Sequence, residues 1–216
     1  MADALEDAYA KLAWAAQRIV ELRPVVEGYI ATEESRASVG PGAEPGVVFQ
    51  FGRDDSPIPT DISNRVGEIA NHLRSALDYL VGQLALLQGE AAGSRNQFPI
   101  EESATSFVAR TGTFLKGVSP EHIETIRKQQ PFEGGTWLSV LRDASNQDKH
   151  NELIRPSHQS DIEVEIDQHA DGSVRLRYQA GIQLVFADEM PIVDSLEFLH
   201  AQVTAVLDLF HPECQR

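Results

Sequence analysis

The chain has a single cysteine, Cys214, so it cannot close an intrachain disulfide, and a small disulfide-stapled scaffold is excluded. Cationic side chains are scarce: 18 Lys and Arg stand against 33 Asp and Glu in 216 residues, a formal net charge of −15. Such a chain lacks the basic footprint that phosphate attraction needs, so non-specific binding to nucleic acid or to an anionic membrane is not expected. No apolar run approaches the roughly 18 residues of a membrane span. The opening MADALEDAYA is acidic where a secretory leader would be basic. The expectation is a cytoplasmic protein without a membrane partner. Familiar catalytic signatures are also missing: there is no Walker loop, GxGxxG, HExxH, paired CxxC or GxSxG. No cofactor and no metal is therefore assigned.

What is present is an ordinary globular composition, 42% hydrophobic and 24% charged, at a length that suits one domain over residues 1–216. The acid is uneven. Residues 61–150 hold 11 acidic and 9 basic side chains, and the flanks carry nearly all of the excess. Apolar spacings of three and four predict a first helix from about Ala2 to Glu33, with Pro24 as a kink or interruption. Ile62, Val66, Ile69, Leu73, Leu77, Leu80, Leu84 and Leu87 form one stripe and predict a long helix over Asp61–Gln88, closed by Gly89. Shorter helices are expected over Ser103–Leu115, from Ser119-Pro120 to about Gln130, and over Thr136 to about Glu152. A last helix is expected from a capping-box-like Asp194 and Glu197.

Period-two alternation predicts strands at Val47–Phe51, Ile162–Ile166, Val174–Tyr178 and Gly181–Asp188. A turn at His169–Gly172 would set Glu165 opposite Arg175 and Glu163 opposite Arg177. The expected fold class is α+β: four or five helices with a small antiparallel β-sheet packed on one side. The helical core spans about 1–34, 61–153 and 194–212, and the β part about 46–52 and 161–188.

Two polar clusters interrupt the helical stripes. Asn71, Arg74 and Asp78 stand at i, i+3 and i+7, on one face of the long helix. In Leu141-Arg142-Asp143-Ala144-Ser145-Asn146-Gln147-Asp148-Lys149-His150 the stripe Leu138, Leu141, Ser145, Asp148 turns from apolar to polar. A carboxylate continuing an apolar stripe needs solvent or a partner, and Arg74 is a candidate partner for Asp148. The plain structural alternatives are a solvated helix edge for the first cluster and a helix C-terminus for the second, with Lys149 and His150 on the last carbonyls.

The stretch from Val66 to Leu153 resembles a family of uncharacterised proteins from actinobacteria and their phages. The resemblance rests on NHLRSALDYLVGQLAL, on QFPI at 97–100 and on LRDASNQDKHNEL at 141–153. It implies no activity. The chain departs from the family pattern at Asn71-His72, where the family order is His-Asn, and at Asn151, where the family has arginine.

Three readings of function follow. The first is a non-catalytic binding or accessory protein whose polar groove between two helices, lined by Arg74, Asp78, Arg142, Asn146, Asp148 and His150, takes a protein or small-molecule partner. The exposed faces of the long helices leave room for a homodimer. The alternative is a metal-independent endoribonuclease similar to the HEPN class, which carries arginine and histidine separated by four to six residues. Arg65 and His72 meet that spacing and share a helix face, while Arg142 and His150 miss it by one. There the histidine would move the 2′-hydroxyl proton and the arginine would stabilise the phosphorane-like charge. The third is metal-assisted hydrolysis on Asp78, Asp148 and His150, disfavoured by the neighbouring Arg74 and Lys149. His122, His158, His169, His200 and His211 are expected to face solvent, and Trp14 and Trp137 to sit in the core or an interface.

Overall fold

A computed structural model of the chain describes residues 5–34, 38–41, 47–50, 58–89, 95–149, 156–168, 174–185 and 190–214. Among them are six α-helices: α1 (Glu6–Glu34), α2 (Thr60–Leu87), α3 (Ala104–Phe114), α4 (Pro120–Arg127), α5 (Trp137–Lys149) and α6 (Ile192–Cys214). The leucine-rich stripe of α2 is the spine. Leu73, Leu77, Leu80 and Leu84 are fully buried, and α1, α5 and α6 all pack on this helix. From α1 come Leu12, Ile19, Leu22 and Val26, with Leu5 just ahead of it, and from α6 Leu196, Leu199, Val203, Leu207 and Phe210. The helix α1 runs through Pro24 as one element. At α3 and α4 the serine caps form as expected: Ser103 Oγ accepts from the Ser106 N–H and Ser119 Oγ from the His122 N–H. The last helix begins at Ile192, earlier than the Asp194 capping box would place it.

The fold is mostly helical, which corrects the α+β expectation. The β residues make two separate two-stranded ladders, β1 (Ser38–Pro41) with β2 (Val47–Gln50) and β3 (Ser157–Gln168) with β4 (Val174–Val185). The strand periodicity is real, but it gives hairpin-like pairs rather than a sheet layer. Gly181 does not end a strand: it pairs with Asp161 inside a continuous β4, which absorbs the described part of the expected third strand. The register also differs. Glu165 pairs with Arg177, Glu163 with Gln179, and Arg175 with Asp167. Within the described residues this pairing runs to Gln168 and Val174, a slip of two that keeps every residue on its expected face. At the other end Leu184 and Val185 are buried, and β4 meets α1 there.

Candidate functional site

Arg74 and Asp78 lie one turn apart on α2, 3.2 Å between Nη2 and Oδ1, with 11% and 30% of their side chains exposed. Both are engaged by the main chain of the segment that follows α2. Arg74 Nη2 donates to the Phe98 carbonyl at 2.5 Å, and Asp78 Oδ1 accepts the Phe98 N–H at 2.8 Å. One ion pair thus satisfies both polar groups of a residue whose ring is fully buried. Burial pushes the Arg74 guanidinium below its ordinary value, with Asp78 opposing. Arg74 Nη1 is buried and makes no hydrogen bond among the described residues.

The same segment is held from a second side. Gln130, fully buried, donates from Nε2 to the Pro99 and Ile126 carbonyls at 2.9 and 3.2 Å and accepts the Glu101 N–H at 3.0 Å. Its position depends on the tight reversal Pro131–Gly135. A Cβ at Gly135 would lie 1.8 Å from the Gln129 carbonyl oxygen, so only glycine fits. Proline at 99 needs no N–H partner and favours extended backbone at Phe98, which suits a buried strand-like piece that no ladder covers.

A third anchor comes from α5. Arg142 Nη1 and Ser139 Oγ both donate to Glu102 Oε1 at 2.8 Å, and Arg142 Nε donates to Asp143 Oδ1 at 2.8 Å. These bonds hold the Glu102 carboxyl below its ordinary value, and Asp143 and then Glu102 raise Arg142. Glu102 and Asp143 are mostly exposed, and so is Asn146. Beside them Arg110 reaches Glu101 at 3.6 Å.

Residues 97–102 therefore join the two polar clusters: Arg74 and Asp78 hold one end and Arg142 the other. The remaining candidates fall differently. Asp148 lies in α5 but its side chain is outside the described residues, as is all of His150, so the expected Arg74–Asp148 pairing is outside them too. The two residues of the nuclease reading make different contacts. Arg65 Nε donates to Asp61 at 2.8 Å, whereas the His72 ring stacks on Trp14 of α1 at 3.9 Å. Among the described residues no group of three or more His, Cys, Asp or Glu is placed to hold a metal ion.

Sequence reasoning did not find Gln130 or Glu102. Their partners lie 29 to 40 positions away, and the only clue was the QFPI motif itself. His122 is buried rather than solvent-facing, its ring edge-on to Phe210 at 5.6 Å. His200 is half-buried, its Nε2 3.1 Å from the Leu12 carbonyl oxygen. Among the described residues no helix is long and apolar enough to cross a membrane. Set against profiles of known protein families, against curated proteins and against solved structures, the chain matches none.

Proposed function

We propose that this chain is a non-catalytic binding or accessory protein that presents the rim around Glu102, Arg142, Asp143 and Asn146 to a partner. One observation carries the reading: residues 97–102, between α2 and α3, are tied to α2, to Gln130 just after α4 and to α5, and end in an exposed, charged edge. A connecting segment fixed on a rigid scaffold is a common way to offer recognition groups, because little ordering entropy is left to lose on binding. Arg74, Asp78 and Gln130 then act as supports, and Arg142 and Asn146 as contacts. The three stretches that carry the family resemblance supply this unit together: NHLRSALDYL gives Arg74 and Asp78, QFPI gives Phe98, and LRDASNQDKH gives Arg142 and Asn146.

The partner is a protein or a small molecule with complementary mixed charge, and a second copy of the chain falls within that class. Non-specific nucleic acid is disfavoured by the net charge of −15, and cytoplasmic residence belongs to the same reading. The test is crosslinking and affinity capture from the native host with wild type and the Arg142→Glu/Asn146→Ala double variant. A partner retained by the wild type and lost from an equally stable double variant is the expected result. Cleavage of total RNA in EDTA by the wild type, abolished in His72→Ala, would overturn the reading in favour of a nuclease.

A further inference from the structure

The rim leaves one cluster on α2 unused. Trp14 of α1 and His72 of α2 stack with ring centroids 3.9 Å apart and planes 24° from parallel. The Arg18 guanidinium lies 4.5 Å from the Trp14 ring centre, and the Lys11 ammonium lies 5.7 Å from that of Tyr79. Ascending α1 from Lys11 to Trp14 means descending α2 from Tyr79 to His72, so the helices run antiparallel and these residues line one half-buried edge of their seam.

The chemistry of that edge depends on which form of the imidazole is present. A neutral ring has one N–H, whereas an imidazolium has two and needs an acceptor for each. His72 Nδ1 is buried and has no hydrogen-bond partner among the described residues, so the second N–H would be left unsatisfied. Although an indole face attracts a cation, Arg18 already contacts this one and Lys11 is close by on the same helix, so an imidazolium would stand against two like charges. The opposing carboxylate is Glu68, on α2 itself. The other acids of the seam are engaged: Glu21 accepts from Gln17 and Arg18, and Asp61 from Arg65.

We propose that the Trp14–His72 stack is a proton-sensitive latch between α1 and α2, closed by the neutral imidazole and loosened when the ring takes up a proton. Burial and then Lys11 push His72 below its ordinary value, in line with the geometry. The loosening is local, because Tyr9 remains bonded to Asp208 at 2.6 Å and Arg23 to Glu197 at 2.6 Å, which hold α1 to α6.

The experiment follows Trp14 emission in a Trp137→Phe background from pH 8 to pH 5. The expected result is one transition with its midpoint below the ordinary histidine value of 6.5, absent after His72→Gln. A flat curve, a midpoint at or above 6.5, or a transition that persists in His72→Gln would overturn the proposal. If Trp137→Phe does not fold, the imidazole proton resonance of His72 in the otherwise wild-type chain, assigned by its loss in His72→Gln, gives the midpoint instead. A value below 6.5 then supports the latch, and a value at or above it overturns the latch.

Discussion

Arg74 and His72 stand two residues apart on one helix, and each is a polar group facing a packed neighbour. Their surroundings make opposite use of them. Arg74 is lowered by burial too and leaves Nη1 unpaired among the described residues, but its Nη2 has a carboxylate and a backbone carbonyl within hydrogen-bonding distance that oppose that cost. His72 has an indole against its face, two cations nearby and no acceptor at Nδ1, so its charge is discouraged. A guanidinium keeps its charge near neutral pH and an imidazole need not, and the partners around each side chain widen that intrinsic difference into a fixed joint on one side and a titratable contact on the other.

If residues 97–102 form the fixed joint, the largest effect should come from its buried ring. Phe98→Ala is expected to cost about 3–5 kcal/mol in denaturant unfolding, since the cavity opens in the apolar core to which the fully buried ring belongs. A loss under about 1 kcal/mol would mean that the segment is only draped over α2. Arg74→Met, which keeps an apolar stem and removes the charge, should cost about 2–3 kcal/mol because the Phe98 carbonyl loses its donor and Asp78 its cation. Gln130→Ala should fall near about 2 kcal/mol, leaving the Glu101 N–H and the Pro99 carbonyl without their partner. If Arg74→Met and Gln130→Ala prove independent in a double variant, the segment has two separate anchors. Coupling would mark one cooperative frame.

Much of this frame is legible in the sequence in pieces. The stripe of α2, the serine caps at Ser103 and Ser119 and the shared face of Arg74 and Asp78 are local, set by periodicity and by side chains reaching their own backbone. What joins the pieces is not local. Phe98 meets residues 20 and 24 positions earlier, and Glu102 meets Arg142 40 positions later, so no spacing rule could reveal either contact. The β region departs from expectation for a related reason. Alternation marks a strand and its faces but carries no information on how many strands join, and Gly181 has the look of a boundary while it sits inside β4. His122 escapes a local reading because its place in the first turn of α4 suggests solvent, whereas Phe210 of α6 covers it.

The titratable side of the comparison gives a smaller effect with a definite sign. The folded-state value of His72 lies below its ordinary 6.5, so between the two the unfolded chain binds the extra proton first. His72 therefore lowers stability as pH falls through 6.5, and its contribution levels off below the folded value. The wild type should lose more thermal stability than His72→Gln between about pH 7.5 and about pH 5.5, by under about 2 °C in Tm for a chain of this size. Equal losses in the two proteins would remove the distinction between His72 and Arg74 that the structure draws.

The smallest stability change should be the most informative about function. Arg142 contacts Glu102 and Asp143, both more than half exposed, and such pairs contribute little because water already solvates both charges. Arg142→Ala should alter unfolding by no more than about 1 kcal/mol, well below Arg74→Met, although both arginines belong to the same frame. If partner capture fails in Arg142→Ala while Arg74→Met retains the partner in proportion to its folded fraction, then α5 supplies contacts and α2 supplies support. If Arg142→Ala costs as much stability as Arg74→Met, the rim is a structural joint like the rest of residues 97–102, and the recognition surface must be sought elsewhere on the molecule. Binding and unfolding measured on the same two variants separate these cases, because a support residue moves the two together and a contact residue moves only the first.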